Sequence, residues 1–169
     1  EGNKFKGVDI EIASKIATKL GKTLFVKDMD FEAIIPSVAS GESDIGMAGL
    51  TVNDERLKTV DFSLGYYSSY QVITVRESTT LFDECKNAED VENILKAQNS
   101  KYKIGTQNGT TGYMYSAGDS GFGYDGFKNL TTKGYTTGAL AMKDLSNGKI
   151  DAVILDKQPS LMIAATLNK

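Results

Sequence analysis

The 169-residue chain is 40% hydrophobic and 24% charged, which suits one good core or two small lobes. Its net charge of −3 comes from interleaved acids and bases, so no basic surface for nucleic acid is present and no run of like charge marks a tail. There is no histidine and a single cysteine, Cys85. That removes Ser-His and Cys-His nucleophile pairs, the commonest general base, most zinc sites and any internal disulfide.

No apolar stretch approaches the ~20 residues of a membrane-spanning helix. The start, Glu1-Gly2-Asn3, carries neither an initiator Met nor a signal-peptide pattern, and the expectation is a processed or excised piece of a precursor with a signal peptide.

In chain order, Ile12, Ala13, Ile16, Ala17 and Leu20 recur at helical spacing, which predicts a helix over 9–20 ended by Gly21. Residues 23–26 read as a short strand. Residues 31–39 read as a second helix, with Pro36 its weak point and Gly41 closing it. Residues 44–48 read as a buried strand, 60–62 as a short extended piece, and 70–75 (YQVITV) as a β-branched strand. The polar stretch 76–80 reads as a crossing between two lobes. A helix is expected over 90–97 and a strand over 102–106, running into the turn Asn108-Gly109-Thr110-Thr111-Gly112. Residues 116–134, rich in Gly, Asn and Asp, read as an ordered loop or broken helix. A helix over 137–145, a strand over 150–155 and a helix over 158–167 close the pattern, with Pro159 near the last N-terminus. Strands alternating with helices imply parallel α/β architecture. The pieces 35–49 and 141–156 echo each other as helix, Gly, two residues, Asp, strand, which favours a two-lobed chain with related halves.

Three groups fall at strand carboxyl ends, where open α/β sheets meet their ligands. The first is the stretch GLTVNDERLKTVDFS over 49–63. Gly49 leaves the backbone accessible, Thr51 adds a hydroxyl, and Arg56 offers a planar fork of donors that pairs with a carboxylate through two parallel hydrogen bonds. An ordinary strand and turn with a surface arginine is the competing reading. The second is the 108–112 turn, whose backbone N–H groups open a helix at Thr111 or Gly112 and favour an anion; a plain Asn-Gly turn competes, and no Lys follows to make a P-loop. The third is Asp156, an acid for an ammonium, or simply the N-cap of the last helix. Phe31 reads as a core or staple residue, and Tyr66, Tyr67 and Tyr70 as packing. The spacing of Asp119 and Asp125 fits no EF-hand loop, so no metal or other cofactor is expected. Taken together, the groups suit the two charges of an α-amino acid.

The segment over 29–75, MDFEAIIPSVASGESDIGMAGLTVNDERLKTVDFSLGYYSSYQVITV, closely resembles the first lobe of the family-3 extracellular solute-binding proteins, the polar amino-acid receptors of bacterial ABC transporters. KIGTQNGTTGYMY is similar to that family's strand–GTTG–helix element, and NGKIDAVILDKQPSLMIA to its returning strand and acid. The resemblance implies a two-lobed periplasmic-binding-protein type II fold that closes over its ligand, with lobe 1 over 1–75, a hinge over 76–80 and lobe 2 over 81–169. It implies that Arg56 grips the ligand α-carboxylate, helped by the N–H groups of Thr51 and of Thr110 or Thr111. It also implies that Asp156, the Gly49 carbonyl and the Thr51 hydroxyl hold the α-ammonium, with Phe31 walling the pocket and Gln107 near the ligand side chain.

Family members carry a strand before the 6–9 segment and continue past Lys169, so a first lobe short of strands with exposed edges is implied. The implied function is non-catalytic capture of a polar L-amino acid outside the cytoplasm for an ABC permease, in the periplasm or on a surface lipoprotein with an upstream lipid anchor. The alternatives are a receptor's sensory domain and a dehydratase-type enzyme on the same fold. A sensory domain would be accompanied by transmembrane segments in the full gene, and a dehydratase by turnover of prephenate or arogenate.

Overall fold

The computed structural model describes residues 5–168; the outermost residues of the two expected lobes, 1–4 and 169, lie outside them. Helix α1 spans Val8–Lys19, ends at Leu20 and is followed by Gly21 at φ 64°, the left-handed position that a helix C-terminus favours. The expected helix over 31–39 is split by geometry, a 3-10 turn at Phe31–Ala33 leading into α2, Ile34–Ala39. Pro36 sits in the first turn of α2, where a missing N–H costs no bond. Helix α3 is a single turn, Asp54–Leu57.

The sheet is built from β1 (Gln71–Val75), β2 (Lys103–Gln107), β3 (Thr131–Tyr135) and β4 (Ala152–Asp156) in the order β1-β4-β2-β3. Strands β4, β2 and β3 run parallel, and β1 lies antiparallel on β4 with Gln71 opposite Asp156. Helices α4 (Ala88–Lys96), α5 (Thr111–Ala117), α6 (Gly138–Ser146) and α7 (Lys157–Leu167) connect and cover the strands. Polar caps start three of them. Asn87 accepts from the Asp90 N–H at 3.0 Å, Thr110 from Tyr113 at 3.4 Å and Thr137 from Leu140 at 3.3 Å.

Strand β4 shows why this sheet is stable. Its side chains alternate between faces, so Ala152 and Ile154 join Leu95, Ile104, Phe127 and Leu130 on one side. Val153 and Leu155 join Ala141, Met142, Leu145 and Ile150 on the other. Every buried hydrophobic residue among those described lies between Leu95 and Leu155. Before Gln71 the buried residues are Ser37 and Arg56, both polar. The solvent-accessible area of 11397 Å² exceeds the roughly 8,100 Å² that size scaling gives for a compact monomer of this mass.

The sheet is mostly parallel, as the resemblance implied for each lobe, and β1 joins it as an antiparallel edge. Several expectations are corrected. That edge strand was expected within the first lobe, yet it hydrogen-bonds to β4, so the sheet groups residues 71–75 with the later chain. The 76–80 segment, expected as a crossing, begins as a turn on that same unit. The Thr79 N–H bonds to the Arg76 carbonyl at 2.9 Å, and the Arg76 guanidinium donates to the carbonyls of Leu145 (3.1 Å) and Ile150 (2.6 Å).

Residues 23–26 and 44–48 form no strand, and Ile45 is 53% exposed. Extended backbone becomes a strand only when a neighbour completes the ladder, and β1, the next candidate in sequence, pairs elsewhere. The 44–48 segment packs on α2 instead, where a Cβ at Gly46 would lie 2.7 Å from Ile34 Cγ2. Conversely, the expected 116–134 loop hides β3. Its residues TTKGY include Lys133 and Gly134, which mask a strand that the edge of β2 recruits.

Asp144 on α6 gathers Lys149 Nζ at 3.0 Å, the Tyr135 hydroxyl at 2.9 Å and Lys133 Nζ at 3.1 Å. These hydrogen bonds hold its pKa below the ordinary carboxylate range. A depressed pKa contributes stability above the unfolded value, about 3.9, and loses it as pH falls. Melting curves of Asp144→Asn should therefore lie below wild type at pH 7, with a gap that begins to narrow only below about pH 4 and closes as pH falls through the lower folded pKa. A gap that is unchanged at pH 3 would contradict this assignment.

Candidate functional site

Arg56 lies on α3, whose start is fixed by Asn53: its side-chain oxygen accepts the Arg56 N–H at 2.8 Å. The side chain turns inward and is 8% exposed. Nη1 donates to the Thr51 carbonyl at 2.6 Å, and Nη2 donates to the Gly109 carbonyl at 2.9 Å. The second bond joins residues 53 positions apart, across the gap between the 31–56 region and the sheet. The guanidinium carbon also lies over the rings of Phe31, at 5.9 Å, and Phe122, at 5.7 Å. Burial pulls the Arg56 pKa down from its ordinary value. Of the five N–H donors on a guanidinium, these contacts leave more than half without an acceptor among the described residues.

The facing wall comes from the ends of β2 and β4. Gly109 turns the chain at φ 69°, and a Cβ there would lie 2.7 Å from Glu32 Cγ, so this turn closes directly on the 3-10 turn opposite. Thr110 is spent on structure. Its hydroxyl donates to the Gln107 carbonyl at 2.7 Å, and its N–H reaches the same carbonyl at 3.4 Å. Thr111 is the first helical residue of α5, so its N–H has no intrahelical acceptor. The Thr111 hydroxyl accepts from Gln71 Nε2 at 2.9 Å. Gly112 allows α5 to sit against β4, since a Cβ there would lie 2.8 Å from Gln71 Oε1 and 3.0 Å from the Ile154 carbonyl. Gln107 sends Nε2 to the Thr136 carbonyl at 3.3 Å.

Asp156 occupies the N-cap position of α7 but makes no side-chain capping bond. The competing reading, a carboxylate used up as a helix cap, is therefore not what the geometry presents.

These groups enclose a cavity of about 100 Å³ lined by Phe31, Ala48, Gly49, Thr51, Arg56, Gln107, Thr110, Thr111, Asp156 and Pro159. Every site residue named from the sequence is on that wall, and Ala48 and Pro159 join them. A wider groove of about 1130 Å³ shares Gly49, Thr51, Thr111 and Asp156, and adds Tyr66, Tyr67, Tyr70 and Gln71. The Tyr66 hydroxyl donates to Asp9 Oδ1 at 2.8 Å, and burial followed by the Asp9 carboxylate pushes its pKa up to about 12. Lys157 Nζ donates to the Tyr70 hydroxyl at 2.5 Å beside Asp156.

Sequence reasoning missed Gln71 and Phe122. The signal for Gln71 is its register opposite Asp156. Phe122 had none, because its place depends on the folding of a glycine-rich loop. Among the described residues no helix is long and apolar enough to cross a membrane, and no three His, Cys, Asp or Glu side chains form a metal-ligating group.

Known proteins share sequence and fold with this chain. Residues 1–117 match the family described as bacterial extracellular solute-binding proteins, family 3. The chain is similar to a putative ABC transporter arginine-binding protein 2 of Escherichia coli K12, at 28% identity over 155 residues, covering 91% of this chain and 55% of that protein. Its fold is similar to the arginine-bound form of truncated ArgBP from T. maritima, with TM-score 0.75, 31% identity, and 95% and 68% of the two chains covered. It also resembles an ancestral arginine-binding protein bound to glutamine, with TM-score 0.72, 33% identity, and 94% and 62% covered. The chain thus spans about half the length of most of the curated relatives it matches. With a type II periplasmic-binding-protein fold and a family match over more than half its length, it belongs to the bacterial extracellular solute-binding proteins, family 3.

Proposed function

We propose that the cavity between Arg56 and Asp156 binds the charged head of a polar L-amino acid outside the cytoplasm, for delivery to the permease of an ABC transporter. The observation that carries this reading is the pairing of unspent Arg56 donors with an uncapped Asp156 carboxylate on one small cavity. An α-amino acid brings one negative and one positive charge 2–3 bonds apart, and both must meet partners when they leave water. Arg56 and the Thr111 N–H take the carboxylate, with the Thr51 N–H beside them. Asp156, the Gly49 carbonyl and the Thr51 hydroxyl take the ammonium. Gly49 contributes through backbone shape, since its φ of 61° is a conformation that other residues rarely adopt.

A cavity of about 100 Å³ suits the head group alone. The ligand side chain then extends past Phe31 and Gln107 towards the wider groove, whose tyrosines offer apolar faces with polar tips. Binding partners named for the relatives make L-arginine and L-glutamine the first probes. The two lobes meet through the Arg56–Gly109 and Glu32–Gly109 contacts. Because β1 and Arg76 are anchored in the sheet unit, the flexing connection belongs before Gln71, in the extended 60–70 stretch, rather than at 76–80.

Charge-assisted hydrogen bonds contribute roughly 1.5–3 kcal/mol each. Arg56→Ala should thus weaken L-arginine or L-glutamine binding at least about 100-fold by calorimetry while the protein stays folded. Binding by that variant within about tenfold of wild type would contradict the carboxylate role. Asp156→Asn should lose about tenfold or more in affinity at an unchanged melting temperature, since the side chain caps nothing. A large fall in melting temperature with affinity intact would instead make Asp156 structural.

A further inference from the structure

The loop after α5 is a built element. Gly118 and Gly126 cross so closely that a Cβ on Gly126 would lie 2.4 Å from the Gly118 nitrogen. Asp119 and Tyr124 pair antiparallel, exchanging backbone hydrogen bonds of 2.9 Å each way. The Asp119 carboxylate accepts the Phe122 N–H at 3.1 Å, and the Phe127 N–H bonds to the Ser116 carbonyl at 2.9 Å. The result is a pinned turn with Phe122 in the 3-10 tip, Ser120–Phe122.

From the tip an unbroken aromatic contact chain runs into the core. Phe122 stacks on Tyr124, with centroids 5.9 Å apart and planes at 11°. Tyr124 meets Tyr115 edge-on at 5.3 Å, and Tyr115 meets the buried Phe127 edge-on at 5.4 Å. The Tyr115 hydroxyl donates to Glu92 on α4 at 2.5 Å, fixing the middle of the chain. At the outer end the tip is pressed on α3: a Cβ on Gly121 would lie 2.7 Å from Glu55 Cγ, and Arg56 lies over the Phe122 ring at 5.7 Å. Phe122 does not line the cavity; it meets the guanidinium from beyond it.

We propose that Phe122 is an affinity-determining positioning residue: carried by the sheet lobe, it covers the Arg56 guanidinium only when the lobes come together, and so couples closure to the grip on the ligand carboxylate. The inference rests on the proposed amino-acid function. The ring presents its negative face to the cation and excludes water from that side. Arg56 donors turned towards the cavity then act in a drier, lower-dielectric setting, where a charge-assisted bond is stronger. When the lobes part, the ring leaves with its own lobe and the guanidinium is rehydrated. Release should therefore be governed by how long Phe122 stays in place.

The test screens the full chain against the twenty amino acids by thermal shift. Those that bind, L-arginine and L-glutamine first, are then titrated by calorimetry into wild type, Phe122→Ala, Phe122→Leu, Phe122→Trp and Arg56→Ala, and dissociation is followed by stopped flow. Leucine keeps apolar cover without a π face, and tryptophan keeps both. Phe122→Ala and Phe122→Leu should bind about tenfold more weakly, mainly through faster dissociation, with Phe122→Trp close to wild type. If Phe122→Ala fails to fold, Phe122→Leu alone decides. Arg56→Ala losing binding while Phe122→Leu matches wild type in affinity and dissociation rate would overturn this proposal and leave the amino-acid function standing. Equal loss in the leucine and tryptophan variants would also overturn it, since shape rather than the π face would be responsible. Arg56→Ala binding like wild type, or wild type binding none of the twenty amino acids, would overturn the underlying function and this inference with it.

Discussion

A buried guanidinium that is not fully used is the constraint on which this site depends. Arg56 is 8% exposed, takes part in none of the described ion pairs, and is held by two backbone carbonyls and two aromatic rings. Burying a charge costs several kcal/mol unless partners replace its water. Neutral carbonyls replace part of that shell and leave the net charge uncompensated. In the proposed function a carboxylate arriving from solvent would complete that shell, and the preference for an anion would reside in this incompletely satisfied side chain.

The fold supplies the opposing wall from a different source. Among the described residues the buried hydrophobic core lies in the sheet unit, and β2 and β4 deliver the Gly109–Thr111 turn and Asp156 from paired strands. The 5–70 region contributes Phe31, Gly49, Thr51 and Arg56 through short helices and turns with little apolar burial of their own. One wall is stiff and the other is held by few contacts, and the bond between Arg56 and Gly109 crosses between them. Such a division suits the opening and closing that the proposed function requires.

The sheet unit was legible where periodicity and capping agreed. Strands near 70–75, 102–106 and 150–155, and helices near 90–97, 137–145 and 158–167, appear within a residue or two because apolar runs and Asn, Thr or Asp starts mark them. What depends on a partner was not legible. The 23–26 and 44–48 segments carry strand composition but meet no edge, whereas TTKGY has poor strand composition and is recruited by β2. Local pattern does not encode which edge is free. The site residues were recognisable as a motif, yet their states were not: Thr110 is spent on its turn, Thr111 is available, and Asp156 leaves its cap unmade. Phe122 reached Arg56 only through a loop whose shape comes from crossing glycines.

In the proposed function a ligand α-carboxylate completes the Arg56 shell. Calorimetric comparison of L-arginine with L-argininamide tests this without altering the protein. At about pH 6, below the α-amine pKa of about 7.7–8.0, the amide keeps the ammonium and the side chain while an uncharged CONH2 replaces the carboxylate. The amide should bind at least about 100-fold more weakly, and the same holds for L-glutamine against its α-amide. Equal affinity for acid and amide would contradict it.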